Sequence, residues 1–217
     1  MKNKPVQITR NSTAQIEPFE TGETLFLLEK EIKLLNSLAG VLEYPTENWF
    51  LRFEKCKSLI LLTDRAGCEH FSDFCLDINK LSLTELQEFY TRTFDLSPVC
   101  ALEVGYHLFG EDYKRGEFLA RLRETENPYS LGQEQQLPDY LPVILRLLGQ
   151  MEDAEERAAM IGYCLIPALK MMSEALGKKK NIYENIIRFL LETLKHIAEK
   201  SVGQDEKSLT ELRYQYA

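Results

Sequence analysis

The sequence predicts an all-α protein that folds as a single globular bundle of about eight helices. Apolar residues recur at three- and four-residue steps along most of the chain, and the two-residue alternation of a half-buried strand is absent. Only 11 glycines and 8 prolines interrupt the 217 residues. Leu, Glu and Lys, which favour helices, are plentiful. Helix lengths and loop chemistry differ throughout, so there is no internal repeat.

The length of the chain, 217 residues, fits one domain with two tails. Residues 1–20 are polar, lack periodicity and contain Pro5 and Pro18, so they are predicted to form a flexible N-terminal tail. The helical domain is expected to span 21–200. A C-terminal tail follows at 201–217.

Three helices are predicted in the N-terminal part of the domain. The first begins near residue 24 and ends at Tyr44-Pro45, because a proline pushes the preceding residue out of helical geometry. The second covers about 47–62 and the third about 68–81. The second helix carries one apolar face, formed by Trp49, Phe53, Cys56 and Ile60.

The fourth helix has the clearest start signal in the chain. Ser82 stands three residues before Glu85, which is the pattern of a capping box at a helix start. The helix is expected to stop near Ser97-Pro98. Its apolar and aromatic positions are Leu86, Phe89, Tyr90 and Phe94.

The middle of the chain is predicted to hold two short helices and a loop. The helices cover 100–109 and 111–123 and are separated at Gly110. The stretch 124–137 is polar and contains an Asn-Pro pair and a glycine, which are turn signals. We therefore expect this stretch to be a loop.

A proline and an aspartate mark the start of the next helix. Pro138-Asp139 is predicted to open a helix that runs to about Gly149, with Asp139 as its N-cap. Pro142 falls in the first turn, where the missing N–H of proline costs little.

Two longer helices complete the predicted bundle. The first, at 153–176, contains Pro167, which must kink or split it because proline lacks an N–H and clashes with the preceding turn. The second spans 182–197 and carries a stripe of apolar residues at helical spacing.

The net charge of −8 argues against a nucleic-acid partner, because nucleic-acid affinity depends on Lys and Arg that neutralise phosphates. An acidic surface would attract a cationic peptide, or would simply keep the protein soluble. No apolar run approaches the roughly 20 residues of a membrane helix. The sequence therefore predicts a cytoplasmic protein without direct membrane insertion.

The five cysteines are predicted to be reduced and mostly buried, because their number is odd and no CxxC pair occurs. Cys68, His70 and Cys75 are the best candidates for metal ligands. A structural zinc site needs four ligands, however, and the fourth is missing here. We therefore predict neither a metal nor a cofactor.

The usual catalytic motifs are missing from the sequence. It contains no GxxxxGK[ST], GxGxxG, GxSxG or HExxH motif, so the usual scaffolds of nucleotide binding, acyl transfer and zinc hydrolysis are missing. Glu103 and His107 lie one helical turn apart and could act in proton transfer, although such a pair is more often a helix-surface contact. We expect a protein that is not an enzyme.

Two short blocks combine aromatic, proline and charged residues on either side of the polar loop. The first runs from Tyr90 to Arg115-Gly116, and the second is the Leu-Pro-Asp-Tyr-Leu-Pro run at 137–142. Aromatic and aliphatic side chains between helices, rimmed by charge, suit the capture of an amphipathic peptide. Aromatic residues at helical spacing are also typical of a core.

These two blocks resemble the delta-subunit chaperones of respiratory nitrate reductases, the NarJ type, and their wider relatives TorD and DmsD. The Gly110-Glu111 and Arg115-Gly116 pairs, followed by the run at 137–142, are specific to this family in combination. The resemblance continues through Ile166-Pro167-Ala168-Leu169 and covers about half of the chain.

The resemblance implies an all-α, non-catalytic chaperone. Such chaperones bind the N-terminal peptide of the apo catalytic subunit of a molybdenum-containing reductase of the nitrate/DMSO reductase family, and they assist cofactor insertion and assembly. A monomer or a weak homodimer is expected. By resemblance, the peptide contacts are Tyr90, Phe94, Tyr106, His107, Phe109, Gly110, Glu111, Arg115, Pro138, Asp139, Tyr140 and Pro142.

Two other functions stay open. The chain could be a helical accessory subunit that remains in the mature complex, or a weak guanine-nucleotide-binding protein, as is proposed for some wider relatives. The N-terminal tail and the loop at 124–136 match nothing in the family. The client is therefore left open among nitrate, selenate, chlorate, dimethyl sulfide and ethylbenzene enzymes.

Overall fold

The computed structural model describes residues 21–61, 67–95, 99–133 and 135–201. Over these ranges the regular elements are helices and no β-strand occurs, which confirms the all-α prediction. The predicted N-terminal tail, the predicted helix stop at Ser97-Pro98 and nearly all of the predicted C-terminal tail lie outside the described residues.

The described residues form ten α-helices. They are α1 (Thr21–Leu42), α2 (Trp49–Leu61), α3 (Cys68–Ile78), α4 (Leu83–Tyr90), α5 (Val104–Phe109), α6 (Tyr113–Glu126), α7 (Leu141–Leu148), α8 (Ala154–Met160), α9 (Ile166–Lys178) and α10 (Tyr183–Ser201). Two π-helical turns, Thr91–Asp95 and Ile161–Leu165, follow α4 and α8. The predicted loop at 124–137 starts later than expected, because α6 extends to Glu126 and a 3-10 turn follows it.

The short helix α7 is almost entirely buried within the bundle. Seven of its eight residues are buried, and it packs against α1, which also packs against α2. The indole Nε1–H of Trp49, at the start of α2, donates to the carbonyl of Val41 at 3.0 Å. This bond ties α2 to the last turn of α1, where helix carbonyls have no partner within the helix.

A cluster of aromatic rings joins α2, α3 and α10 to the π-helical turn after α4. The Trp49 and Phe53 rings stack with centroids 5.2 Å apart, and Phe74 lies 6.0 Å from Phe53. The fully buried Tyr183 contacts Phe74 at 5.8 Å and Phe94 at 4.8 Å. Large aromatic side chains bury the most apolar area per residue, so this cluster supplies much of the driving force for folding.

Pro167 does not split its helix. It occupies the first turn of α9, and the preceding turn, Ile161–Leu165, is π-helical. Because proline lacks an N–H and its ring clashes with the carbonyl four residues earlier, a widened turn accommodates it without ending the helix. At Pro167 the hydrogen-bond pattern therefore changes locally, and α8, the π-helical turn and α9 form one continuous helix.

This continuous helix, Ala154–Lys178, is the one helix among the described residues whose length and composition would allow it to cross a membrane. Half of its most apolar stretch is buried inside the molecule. Leu165, Leu169 and Met172 belong to the core. The packing of a central helix therefore accounts for this apolar character.

Several helix starts differ from the prediction by a few residues, and the differences at α5 and α7 bear on the arrangement of the chain around Tyr140. The helix expected at 100–109 begins at Val104, because Glu103 before it is extended. The assignment of Asp139 as an N-cap is wrong: α7 begins at Leu141, and Tyr140 occupies the N-cap position without a capping side-chain bond. The carboxylate of Asp139 is engaged elsewhere.

All five cysteines are free thiols and four are buried, as predicted. Burial raises the pKa of Cys56 to about 12 and that of Cys75 to about 11. Such thiols stay protonated at neutral pH and are poor nucleophiles. Within the described ranges, no group of three or more His, Cys, Asp and Glu side chains could hold a metal ion.

The predicted capping box at the start of α4 is confirmed. The Ser82 hydroxyl accepts from the Glu85 N–H at 3.3 Å, and the Glu85 carboxylate accepts from the Ser82 N–H at 2.8 Å. Two N–H groups that the helix itself cannot satisfy are therefore bonded.

We predict that Ser82→Ala lowers the free energy of unfolding by about 1 kcal/mol, because it removes this cap. The control is Ser72→Ala, because the Ser72 hydroxyl only bonds to a carbonyl of its own helix. This substitution should change the free energy of unfolding by less than about 0.5 kcal/mol. Urea denaturation measures both. Equal effects of the two substitutions would contradict the assigned role of the cap.

Candidate functional site

A groove of about 550 Å³ opens where the end of α1, the π-helical turn after α4 and the starts of α5 and α7 meet. Its lining comes from residues that lie far apart in the sequence. They are Glu43, Tyr44, Thr46, Arg52, Tyr90, Phe94, Asp95, Leu102, Glu103, Gln135, Gln136, Leu137 and Tyr140.

Helices α5 and α7 begin at a shared backbone contact beside the groove. The Val104 N–H, first in α5, donates to the carbonyl of Asp139 at 2.8 Å, and the Leu141 N–H, first in α7, donates to the carbonyl of Leu102 at 2.9 Å. The segment before each helix thus provides the acceptor for the first N–H of the other helix. We call this arrangement the reciprocal cap; at its centre Glu103 and Tyr140 form an isolated antiparallel bridge.

Two tyrosine hydroxyls connect the reciprocal cap to α1. The Tyr90 hydroxyl donates to the carbonyl of Leu42, the last residue of α1, at 3.1 Å, and lies 3.0 Å from the Tyr140 hydroxyl. Because a hydroxyl carries one proton, Tyr140 is the donor in this second bond. Burial raises the pKa of Tyr140 to about 12 and that of Tyr90 well above its usual value, so both hydroxyls stay un-ionised at neutral pH.

Aromatic and aliphatic side chains give the groove apolar surface. Tyr90 is buried and packs against Phe94, with ring centroids 4.9 Å apart. Tyr44 meets Tyr90 edge to face at 5.6 Å and is 45% exposed. Leu137 is 49% exposed. The groove thus combines buried rings with two half-exposed apolar side chains that a ligand can cover.

The charges around the groove are acidic. The Glu43 carboxylate is neutralised by Arg52 at 2.9 Å and by Arg146 at 2.6 Å. In the part of the chain that the structure describes, Asp95 and Glu103 have no ion-pair partner. Partial burial raises the pKa of Asp95 above its ordinary value. We call Asp95 and Glu103 the acidic rim.

A buried ion pair lies behind the reciprocal cap. Asp139 is fully buried, and its Oδ2 accepts from the Nε–H of Arg115 in α6 at 3.0 Å. The guanidinium of Arg115 also lies over the Tyr106 ring, 6.0 Å from its centroid. Neither Asp139 nor Arg115 lines the groove.

The other residues assigned by resemblance lie away from the groove lining. His107 bonds through Nε2 to the carbonyl of Ala101 at 2.8 Å, and no hydrogen bond or ion pair joins it to Glu103 within the described residues. Phe109 packs on Phe118 at 5.4 Å. Gly110 ends α5 with a φ of 63°, Glu111 is exposed, and Pro138 and Pro142 are buried.

The structure adds residues that the sequence did not assign to the site. Tyr44 lies just beyond α1, and only the fold brings it to Tyr90. Glu103, which the sequence offers as a candidate for proton transfer, lies in the acidic rim of the groove. Leu137 belongs to the second block, but its half-exposed side chain could not be inferred from spacing. The sequence shows that aromatic and acidic residues occur in the same two blocks. It does not show which of these side chains line one groove.

No protein-family model matches the chain. The chain is 30% identical over 164 residues to a probable nitrate reductase molybdenum cofactor assembly chaperone, NarJ, from Bacillus subtilis, and the match covers 75% of the chain and 88% of that relative. It is 25% identical over 175 residues to a probable chaperone of the same description, NarW, from Escherichia coli; that match covers 80% of the chain and 71% of the relative. NarJ of Escherichia coli is 26% identical over 119 residues, about half of each protein.

We predict that Tyr90→Phe lowers the free energy of unfolding by about 1–3 kcal/mol, because the Leu42 carbonyl and the Tyr140 hydroxyl each lose a buried partner. The control is Tyr113→Phe, since Tyr113 is 74% exposed; it should have an effect below about 0.5 kcal/mol. Urea denaturation of both variants provides the comparison. A Tyr90→Phe variant as stable as the parent would show that the hydroxyl contacts contribute nothing.

Proposed function

Because the chain belongs to the family of nitrate reductase molybdenum cofactor assembly chaperones, we propose that it binds the N-terminal peptide of a molybdenum-containing reductase's catalytic subunit. In this role it acts in the cytoplasm and assists insertion of the molybdenum cofactor and assembly of the reductase. The groove is the proposed peptide site. One observation carries this assignment: half-exposed Tyr44 and Leu137 lie beside buried aromatic rings and an acidic rim in a single cleft.

The apolar part of the groove suits a short amphipathic segment. A volume of about 550 Å³ receives a few side chains and not a folded domain. Covering a side chain such as that of Leu137 contributes up to about 1.5–3 kcal/mol. A peptide that presents apolar side chains on one helical face would fill the cleft and leave its polar face in water.

The acidic rim supports a preference for a basic residue in the peptide. Asp95 and Glu103 attract a nearby cation, and the net charge of −8 steers cationic segments toward the protein. The same carboxylates would repel the phosphates of a nucleotide. The groove therefore favours a peptide over a guanine nucleotide.

The chaperone role differs from that of a retained subunit in its timing. A chaperone associates with the apo catalytic subunit and leaves when assembly is complete, whereas an accessory subunit co-purifies with the active, cofactor-loaded enzyme. Affinity purification of this chain from cells that make the reductase, followed by molybdenum analysis of the bound subunit, distinguishes the two. We expect the bound subunit to lack molybdenum.

We predict that the N-terminal peptide of the catalytic subunit encoded near this chain binds in isothermal titration. Tyr44→Ala and Leu137→Ala should each weaken binding about fivefold or more, which corresponds to about 1 kcal/mol. The control Tyr113→Ala removes a ring that is 74% exposed and lies outside the groove, so affinity should not change. If no such peptide gives a heat signal at high micromolar concentration, the proposal is wrong.

We also predict that peptide affinity falls as the pH is lowered. Burial raises the pKa of Asp95, so this side chain takes up a proton at a higher pH than an ordinary aspartate and the acidic rim then loses charge. Glu103→Gln should weaken binding of a basic peptide about two- to fivefold and flatten its salt dependence.

The matched control for the acidic rim is Glu117→Gln, an exposed position on α6 outside the groove. It should leave both the affinity and the salt dependence unchanged. Asp95→Asn should remove the part of the pH dependence that arises as the pH falls through the raised pKa of Asp95. Equal losses of peptide affinity for Glu103→Gln and Glu117→Gln would mean that the affinity depends on the net charge of the protein and not on the acidic rim.

A further inference from the structure

We propose that Asp139, Arg115 and Gly105 form a positioning unit for the groove, which holds Tyr140 and Glu103 in place without touching the peptide. This inference rests on the proposed function of the groove.

The ion pair anchors the residue before Tyr140. Asp139 is 0% exposed, and a carboxylate removed from water in this way is costly unless a cation accompanies it. Arg115 supplies the cation, 3.0 Å from Oδ2. The other oxygen, Oδ1, is buried without a hydrogen-bond partner among the described residues. Arg115 is therefore the group that makes the buried position of Asp139 tolerable.

Gly105 makes room for this ion pair. A Cβ atom at this position would lie 2.8 Å from Asp139 Oδ2 and 2.9 Å from a ring carbon of Phe118. Real Cβ contacts are essentially never this short, so any larger residue would displace the carboxylate or the ring. By contrast, a Cβ at Gly116 in α6 would meet nothing within 4 Å.

The position of Asp139 decides which way Tyr140 points. Successive side chains of an extended segment point to opposite sides, so an inward Asp139 directs Tyr140 toward the groove. A slip by one residue would reverse the two. The reciprocal cap holds the backbone on the same residue, because the Asp139 carbonyl accepts from Val104 at 2.8 Å. Backbone and side chain of Asp139 thus fix one register.

Tyr140 connects two walls of the groove, through its side chain and through its backbone. Its hydroxyl donates to that of Tyr90, and its backbone pairs with Glu103 of the acidic rim. Loss of the ion pair would loosen both walls of the groove together. The positioning unit therefore predicts a loss of peptide affinity from substitutions at residues that do not line the groove.

The test is a double-mutant cycle for peptide binding, with Arg115→Ala and Tyr140→Phe measured singly and together by isothermal titration of the full chain. We expect Arg115→Ala to weaken binding about tenfold in the parent and less than about twofold when Tyr140 is already changed, since the two act as a unit. Arg115→Lys keeps the cation and should restore part of the affinity. The same loss in both backgrounds would show that Arg115 contacts the peptide directly and would overturn the inference.

Matched glycine substitutions provide the second measurement. Gly105→Ala should weaken peptide binding as Arg115→Ala does, and Gly116→Ala should not. Affinity is taken on the folded protein, with urea denaturation alongside; reduced stability with parental affinity would mean a purely structural role and would also overturn the inference. If Arg115→Ala does not fold, Arg115→Lys and Gly105→Ala carry the cycle. Absence of peptide binding by the parent would instead contradict the proposed function.

Discussion

Two helices start inside the bundle, one after Leu102 and Glu103 and the other after Asp139 and Tyr140. The backbone N–H groups at these starts have no partner within their own helix, so they need hydrogen-bond acceptors elsewhere in the protein. The reciprocal cap meets this requirement, because the first N–H of α5 and the first N–H of α7 each bond to the segment before the other helix. Neither helix then needs a side-chain cap. The groove opens beside this junction, where Glu103 and Tyr140 are extended and contribute to its lining.

The groove is largely preorganised. The hydroxyls of Tyr90 and Tyr140 link the end of α1 to the reciprocal cap, and the Nη2–H of Arg123 donates to the Gln136 carbonyl at 2.6 Å, which ties the lip beside Leu137 to α6. A site that is fixed beforehand loses little entropy when it binds. Most of the ordering cost then falls on the peptide, and a short disordered segment can meet that cost by covering apolar surface.

The helices were predictable because their signals are local, and the site was less so because its contacts are not. Periodicity and the Ser82 capping box located most helices to within a few residues, and Pro167 marked the π-helical turn. Asp139 has the residue type of an N-cap, yet its carboxylate is recruited by Arg115, 24 residues earlier in the chain. The resemblance selected Tyr90, Phe94 and Tyr140, which do line the groove, but Tyr44 joins them only through the fold.

Amide hydrogen exchange of the full chain, with and without saturating N-terminal peptide of the reductase subunit, tests most directly whether the groove is the binding site. Bound peptide should slow exchange at 42–46, 90–95 and 135–141, because these segments line the groove and open less often when it is filled. Slowed exchange confined to the cleft between α1 and α2, which Ser37 and Lys55 line, would place the peptide elsewhere and contradict the account.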